Sequence, residues 1–272
     1  MNNGNLIGRG ATADVFNWTE NSIIKIFNDY EPDKAIEQEI TNTKALEKCS
    51  FKFPRFIEKI EYEGKRAIVY EKVIGTSIMK LMEQKPFAYK KYAQELAQLH
   101  FEIHKNHVNG IREQKQYFKE RISWVNDLTH DKKERLYKLV DSMPDGDSLC
   151  HSDFHPDNVL KNEKEAYIID WADCCNGNAC ADVARTILTL KTAELPDNVS
   201  ILTKIVTMLI RNRFCSIYTK EYLRISGKTM KQIDEWKVAV AAYRICVAKN
   251  TEKRTIQKII NKYLKDMEDQ TL

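Results

Sequence analysis

The sequence predicts an α+β protein in two lobes, an N-terminal five-stranded antiparallel sheet carrying one helix and a mainly helical C-terminal lobe. Three observations predict it. Short β-favouring runs separated by turn residues fill the first quarter of the chain. Beyond Gly75 the apolar residues recur at three- and four-residue steps, the helical period. The 272 residues are enough for two lobes with substantial cores. The boundary is expected at a hinge of about residues 70–76, between an N-terminal lobe 1–74 and a helical lobe 77–272.

Residues 5–8, 13–19 and 22–27 read as strands, with Glu20-Asn21 as one of the intervening turns. Pro32 opens a helix that keeps Ile36, Ile40 and Leu46 on one side, with Glu37 and Glu39 near it. Residues 56–62 and 66–73 form a hairpin through Glu63-Gly64. Ser77 caps a short helix, and Pro86 stands near the start of the next, where Tyr89, Tyr92, Ala93, Leu96, Leu99 and Ile103 share a face. Helical stretches follow over about 112–128 and 131–141, and Pro144-Asp-Gly-Asp147 breaks the pattern. After a polar turn at Asn176-Gly177 a helix runs from about Cys180 to Ala193, and three more are expected. The last carries the stripe Ile256, Ile259, Ile260, Tyr263, Leu264 and Met267.

Composition narrows the function classes. With 30% charged and 43% hydrophobic residues, the chain reads as an ordinary globular protein. No apolar run approaches the roughly 18 residues of a membrane span. Met1-Asn-Asn-Gly-Asn5 has neither the basic start nor the apolar core of an export signal, so a cytoplasmic protein without a membrane partner is expected. The net charge of +4 is uneven: residues 195–272 hold 15 Lys/Arg against 8 Asp/Glu. That bias suits a solvated helical surface, not the dense basic block with interleaved aromatics that binds nucleic acid. The seven cysteines are irregularly spaced and are expected as free, buried thiols. Cys174, Cys175 and Cys180 have no C-x-x-C or C-x-x-H partner, which argues against a zinc or redox centre. No oligomeric state is read from the chain.

The chemistry concentrates in His151-Ser-Asp-Phe-His-Pro-Asp-Asn-Val-Leu160, followed by the apolar run Tyr167-Ile-Ile169 and Asp170-Trp171. Phosphoryl transfer from ATP requires a carboxylate to align the acceptor hydroxyl, and an amide oxygen and a second carboxylate to hold magnesium. Asp153, Asn158 and Asp170 supply these groups in the order H-x-D-x-x-x-x-N, then D. Upstream, residues 6–16 match the pattern G-x-G-x-x-G-x-V except that Ala13 replaces the third glycine; Gly8 and Gly10 would let backbone amides approach phosphates. Lys25, inside the apolar run 23–27, lies fifteen residues after Gly10, where a phosphate-contacting lysine is expected. It needs a carboxylate to hold it extended, Glu39 or Glu37, and Glu39 is preferred because it lies nearer the Ile36/Ile40 face. In a two-lobed kinase the adenine bonds backbone groups of the segment that enters the linker, which by position would be Glu71 to Val73 here.

These stretches resemble the aminoglycoside phosphotransferase and choline kinase superfamily, small-molecule kinases with a protein-kinase-like fold. The decapeptide at 151–160 is similar to that family's H-G-D-F/L-H-P-G-N-V/L signature, Ile168-Ile-Asp-Trp171 to its I-D-W/F segment, and Ala181-Asp-Val-Ala-Arg-Thr186 to a further typical stretch. The resemblance covers about residues 5–190 and places a catalytic loop at 149–172. It implies Asp153 as the catalytic carboxylate, Asn158 and Asp170 as magnesium ligands and Lys25 as a phosphate contact. His151 would support the loop, and Asp182 would brace it from the next helix. Ser152 and Asp157 stand where glycines are common, a departure expected only to tighten the local backbone. Trp-Ala follows Asp170 in place of Phe-Gly and no A-P-E segment follows, so a peptide acceptor is not expected. The implied activity is an ATP- and Mg2+-dependent O-phosphotransferase acting on a small hydroxylated molecule: an aminoglycoside or other antibiotic, choline or another amino alcohol, or a sugar. The alternative is a non-catalytic nucleotide-binding protein of the same fold. Trp171, Trp236 and Tyr243 are weighed as acceptor contacts against ordinary core roles, and the basic 195–272 region disfavours a polycationic acceptor.

Overall fold

Alternating burial along the first strands builds a sheet with two apolar faces, one of them covered by a helix. The computed structural model describes residues 4–192, 201–248 and 250–269. Strands β1 (Leu6–Arg9), β2 (Ala13–Asn17) and β3 (Ser22–Phe27), helix α1 (Asp33–Ala45), and strands β4 (Phe56–Tyr62) and β5 (Lys65–Glu71) follow in order. All strand pairs are antiparallel, in the spatial order β1-β2-β3-β5-β4. The hairpin turns at Glu63 (φ 50°) and Gly64 (φ 75°); two successive left-handed residues give the primed turn that suits strand twist. On one face Phe27, Ile68 and Tyr70 pack with Ile36 and Ile40 of α1. On the other, Ile24 packs with Ala67 and Val69. Each such buried aliphatic side chain contributes about 1.5–3 kcal/mol. Lys25 shares the odd-numbered, α1-facing side of β3 with Phe27.

Five further strands are only two or three residues long, too short to show a period, and of these the apolar run ahead of Asp170 is the one expected from the sequence. They are β6 (Thr76–Ser77), β7 (Ser148–Cys150), β8 (Val159–Lys161), β9 (Ala166–Ile168) and β10 (Cys175–Gly177). β8 pairs with both β6 and β9, and β7 pairs with β10. The helices are α2 (Ile78–Gln84), α3 (Tyr89–His104), α4 (Gln114–Ser123), α5 (His130–Ser142), α6 (Ala179–Thr192), α7 (Ile201–Ser226), α8 (Met230–Glu235), α9 (Lys237–Arg244) and α10 (Asn250–Asp269). Two points differ from expectation. The helix expected over 112–128 stops at Ser123, and Thr129 caps a new one by accepting from the Lys132 amide. Among the described residues four helices, not three, follow α6: a capping box of Thr229 and Gln232 starts α8, and the chain breaks again at the buried Trp236. The expected end of α6 at Ala193 lies outside the described residues.

Two compact units result, one of Met1–Leu81, Val108–Ile111 and Pro156–Asp173, the other of Met82–His107, Arg112–His155 and Cys174–Leu272. Pro156–Asp173 groups with the first unit because β8 pairs with β6 and the Ile168 amide donates to the Lys52 carbonyl at 2.9 Å. Among the described residues no helix is long and apolar enough to cross a membrane.

Candidate active site

In the first unit the site is built around Lys25. Its Nζ donates to both oxygens of Glu39, at 2.7 and 2.9 Å, and to Oδ1 of Asp170 at 3.4 Å. Glu37, the other carboxylate weighed for this role, instead pairs with Lys59 at 2.5 Å on the surface. The α-helical period decides between them: Glu39 is buried beside Ile36 and Ile40, whereas Glu37 points outward. Burial alone would pull the Lys25 ammonium down, but Glu39 and Asp170 outweigh it and push it above its ordinary value. Tyr70, from β5, donates its hydroxyl to Glu39 Oε1 at 2.9 Å, and burial and the carboxylate drive that phenol well above its usual range.

Asp170 lies two residues beyond the end of β9 and holds a left-handed backbone, φ 65°, with its side chain 46% exposed. Asn158 precedes β8 and is buried; its carbonyl accepts from the Ile169 amide at 3.0 Å. The β8–β9 ladder thus brings both to one end of a hairpin. A carboxylate and an amide are hard oxygen donors of the kind Mg2+ takes, so the residues present fit that ion.

The glycine-rich segment forms the β1–β2 turn. The Gly10 amide is engaged within that turn, donating to the Ala13 carbonyl at 2.8 Å. A Cβ at Gly10 would stand 3.0 Å from the same oxygen, while one at Gly8 would make only ordinary contacts. The amides of Glu71 and Lys72 are taken by the carbonyls of Arg55 and Asn21, both at 2.9 Å. Val73 follows them, just beyond β5.

In the second unit helix α6 reads the 151–154 segment residue by residue. Asp182 accepts the His151 amide at 2.6 Å on Oδ2 and the Ser152 amide at 2.9 Å on Oδ1. Arg185 donates from Nη2 to Asp153 Oδ1 at 2.6 Å, and Thr186 donates to the Phe154 carbonyl at 2.9 Å. These three α6 residues lie on one helical stripe. Ser152 is left-handed, φ 66°, a conformation costing a non-glycine residue about 1–2 kcal/mol. The flanking bonds to Asp182 offset that cost. His151 is fully buried, and its Nδ1 accepts from the Asp153 amide at 3.3 Å.

Beneath this loop Asp182 Oδ2 also meets His100 Nε2 at 3.0 Å and His104 Nε2 at 3.2 Å. The opposite nitrogens of the two rings bond Tyr218 (2.6 Å) and Tyr222 (2.7 Å). A carboxylate accepts only, so each Nε2 donates to Asp182. Burial and His104 lower His100 to about 3, with Asp182 opposing, so its ring is neutral at physiological pH. Burial pushes the Asp182 carboxyl up, but its histidine partners prevail and hold it well below the usual range. Two histidines and an aspartate at these distances resemble a metal triad. Here the lone pairs of Asp182 are spent on two amides and two imidazoles, and the cluster is a saturated structural brace.

Sequence reasoning missed Arg185, Tyr70, His100 and His104. A signal existed for two kinds: Arg185 lies one turn after Asp182, and His100 and His104 are spaced i, i+4 on one face of α3. The three aromatics weighed as acceptor contacts are core side chains. Trp171 stacks on Phe51 at 5.1 Å, Tyr243 on Phe118 at 4.0 Å, and Trp236 is 1% exposed. Cys174, Cys175 and Cys180 are buried thiols, with the Cys175 sulfur 3.3 Å from Ser152 Oγ.

A model of the phosphotransferase enzyme family matches residues 4–200, and the chain belongs to that family. No curated protein sequence matches it. Among solved structures it is similar to the amicoumacin kinase hAmiN in complex with AMP-PNP, Ca2+ and Ami, with TM-score 0.60 and 16% identity over 98% of this chain and 88% of that one. It is also similar to an aminoglycoside-3'-phosphotransferase of type VIII, with TM-score 0.61 and 18% identity over 88% and 91% of the two chains. The aminoglycoside phosphotransferase APH(4)-Ia, in a ternary complex with AMP-PNP and hygromycin B, gives TM-score 0.61 and 11% identity over 94% and 90%. At these identities the likeness is one of fold, the protein-kinase-like α+β architecture with its five-stranded antiparallel sheet.

Proposed function

We infer that this protein is an ATP-dependent O-phosphotransferase whose acceptor is a small hydroxylated molecule. The observation that carries this reading is Lys25, bonded at once to the buried Glu39 and to the half-exposed Asp170. A core ion pair needs one carboxylate; a second, reaching solvent from a strained turn, suits a ligand bearing negative charge and a metal. In this reading Lys25 neutralises phosphate oxygens, Glu39 keeps it extended, and Gly8 and Gly10 give a slim loop beside the triphosphate. The backbone from Glu71 to Val73 takes the adenine, and Asn158 and Asp170 hold Mg2+. When bound between Asn158 and Asp170, that ion would neutralise phosphate charge.

Asp153 orients the acceptor hydroxyl and takes its proton as the new O–P bond forms and the bond to the ADP leaving group breaks. Arg185 holds Oδ1 of that carboxylate, and His155 Nε2 lies 3.8 Å from Oδ2. His151 and Asp182 hold the loop in that pose and do not react. The acceptor class includes antibiotics, amino alcohols and sugars, and the protein is expected to work in the cytoplasm without a membrane or nucleic-acid partner. The test is ATP consumption with Mg2+ across aminoglycosides, macrolides, amino alcohols and sugars, alongside nucleotide binding by calorimetry. Acceptor-stimulated consumption is expected. Magnesium-dependent binding without stimulated consumption would favour the non-catalytic alternative, and the absence of both would end the kinase reading.

A further inference from the structure

Helix α1 carries a second polar side chain that the mechanism above does not use. Asn42 is fully buried, one turn beyond Glu39 on the same helix. A buried amide is costly unless paired, and asparagine is a poor helix former, so its presence here calls for a specific partner. It has two. Nδ2 donates to the carbonyl of Trp171 at 2.9 Å and to that of Ala172 at 3.0 Å, while Oδ1 accepts from Gln38 Nε2 at 2.8 Å. Both amide hydrogens therefore clamp the two residues directly after Asp170. The clamped segment is tied down further by the Trp171 indole, which donates to the Ile168 carbonyl at 2.9 Å.

We propose that Asn42 is a positioning residue for the metal-binding carboxylate: it fixes the turn after Asp170 to the helix that holds Glu39. Two bridges then run from α1 to this turn. One is ionic, from Glu39 through Lys25 to Asp170; the other is the amide of Asn42 on the backbone at 171–172. The left-handed residue between β9 and Trp171 has its orientation set from the helix side. A displacement of α1 would move the phosphate lysine and the metal carboxylate together, so nucleotide and metal binding are coupled through one helix. This rests on the reading of Asp170 as a magnesium ligand.

The test separates metal-assisted from metal-free nucleotide binding. ADP affinity is measured by calorimetry with Mg2+ and again in EDTA, for the unaltered protein and for Asn42→Asp, which keeps the shape but removes the donor. The variant is expected to lose at least about tenfold of the magnesium-dependent gain, while its EDTA affinity stays within about threefold. A purely structural role would leave the ratio of the two affinities unchanged. A full magnesium gain in folded Asn42→Asp overturns the proposal and leaves the kinase reading standing; no gain in the unaltered protein overturns both. Should Asn42→Asp not fold, Gln38→Ala, which frees the Asn42 amide from its orienting partner, decides the matter. It is expected to show a smaller loss of the same gain at an unchanged melting temperature, and an undiminished gain there overturns the proposal.

Discussion

Lys25 in the first unit and Asp182 in the second are both charges removed from water, yet their surroundings differ in kind. Lys25 faces more carboxylate than it needs, and one of its two partners, Asp170, reaches solvent. Asp182 is sealed, at 2% exposure, and every donor around it belongs to the fold: two amides and two imidazoles, each backed by a tyrosine. An incompletely balanced group is poised to take a ligand, whereas a saturated one holds a loop in place. Residue types alone would have suggested the reverse, since His, His and Asp are the more familiar metal set.

Removing the sealed charge should have the largest effect. Asp182→Ala leaves several buried donors without an acceptor and should cost about 3–5 kcal/mol of stability in denaturant unfolding. A loss below about 1 kcal/mol would erase the contrast between the two groups. Acid should produce a graded version of that loss. His100 has a folded value of about 3 against an ordinary 6.5, so on acidification the unfolded chain takes up the proton first. Stability is therefore complete above about pH 6.5 and declines from there towards pH 3, with Asp182 adding to the decline below its ordinary value of 3.8. Unfolding free energies measured across that range, with His100→Gln flattening the slope, check the assignment.

On the open side, Asp153→Ala should lower turnover at least about a hundredfold while ADP still binds. Undiminished turnover would remove Asp153 from the chemistry. Glu39→Gln should weaken nucleotide binding about tenfold, since a neutral amide no longer holds the ammonium extended. The smallest effect is expected of Glu37→Gln, whose exposed pair with Lys59 is worth well under about 1 kcal/mol. Equal effects at 37 and 39 would show that the buried pairing is not what positions Lys25.

Much of this was legible in the chain. The hairpin at Glu63-Gly64, the α1 face at Ile36 and Ile40 and the preference for Glu39 follow from turn chemistry and helical period, which act between near neighbours. The order of residues in the decapeptide at 151–160 pointed to the family whose model matches the chain. Most of the minute strands, the break at Trp236 and the grouping of Pro156–Asp173 with the first unit were not legible, because each depends on partners distant in sequence.

The sequence by itself determined which faces are apolar, where the turns fall and which carboxylates and amides are candidates for the site. Only the tertiary structure decided which polar groups close on one another: Arg185 on Asp153, Asn42 on the turn after Asp170, and His100 and His104 on Asp182. The reason is that burial of apolar surface is non-directional and leaves a periodic trace along the chain. A hydrogen bond depends on distance and angle between residues such as 42 and 171, and no local pattern records that meeting.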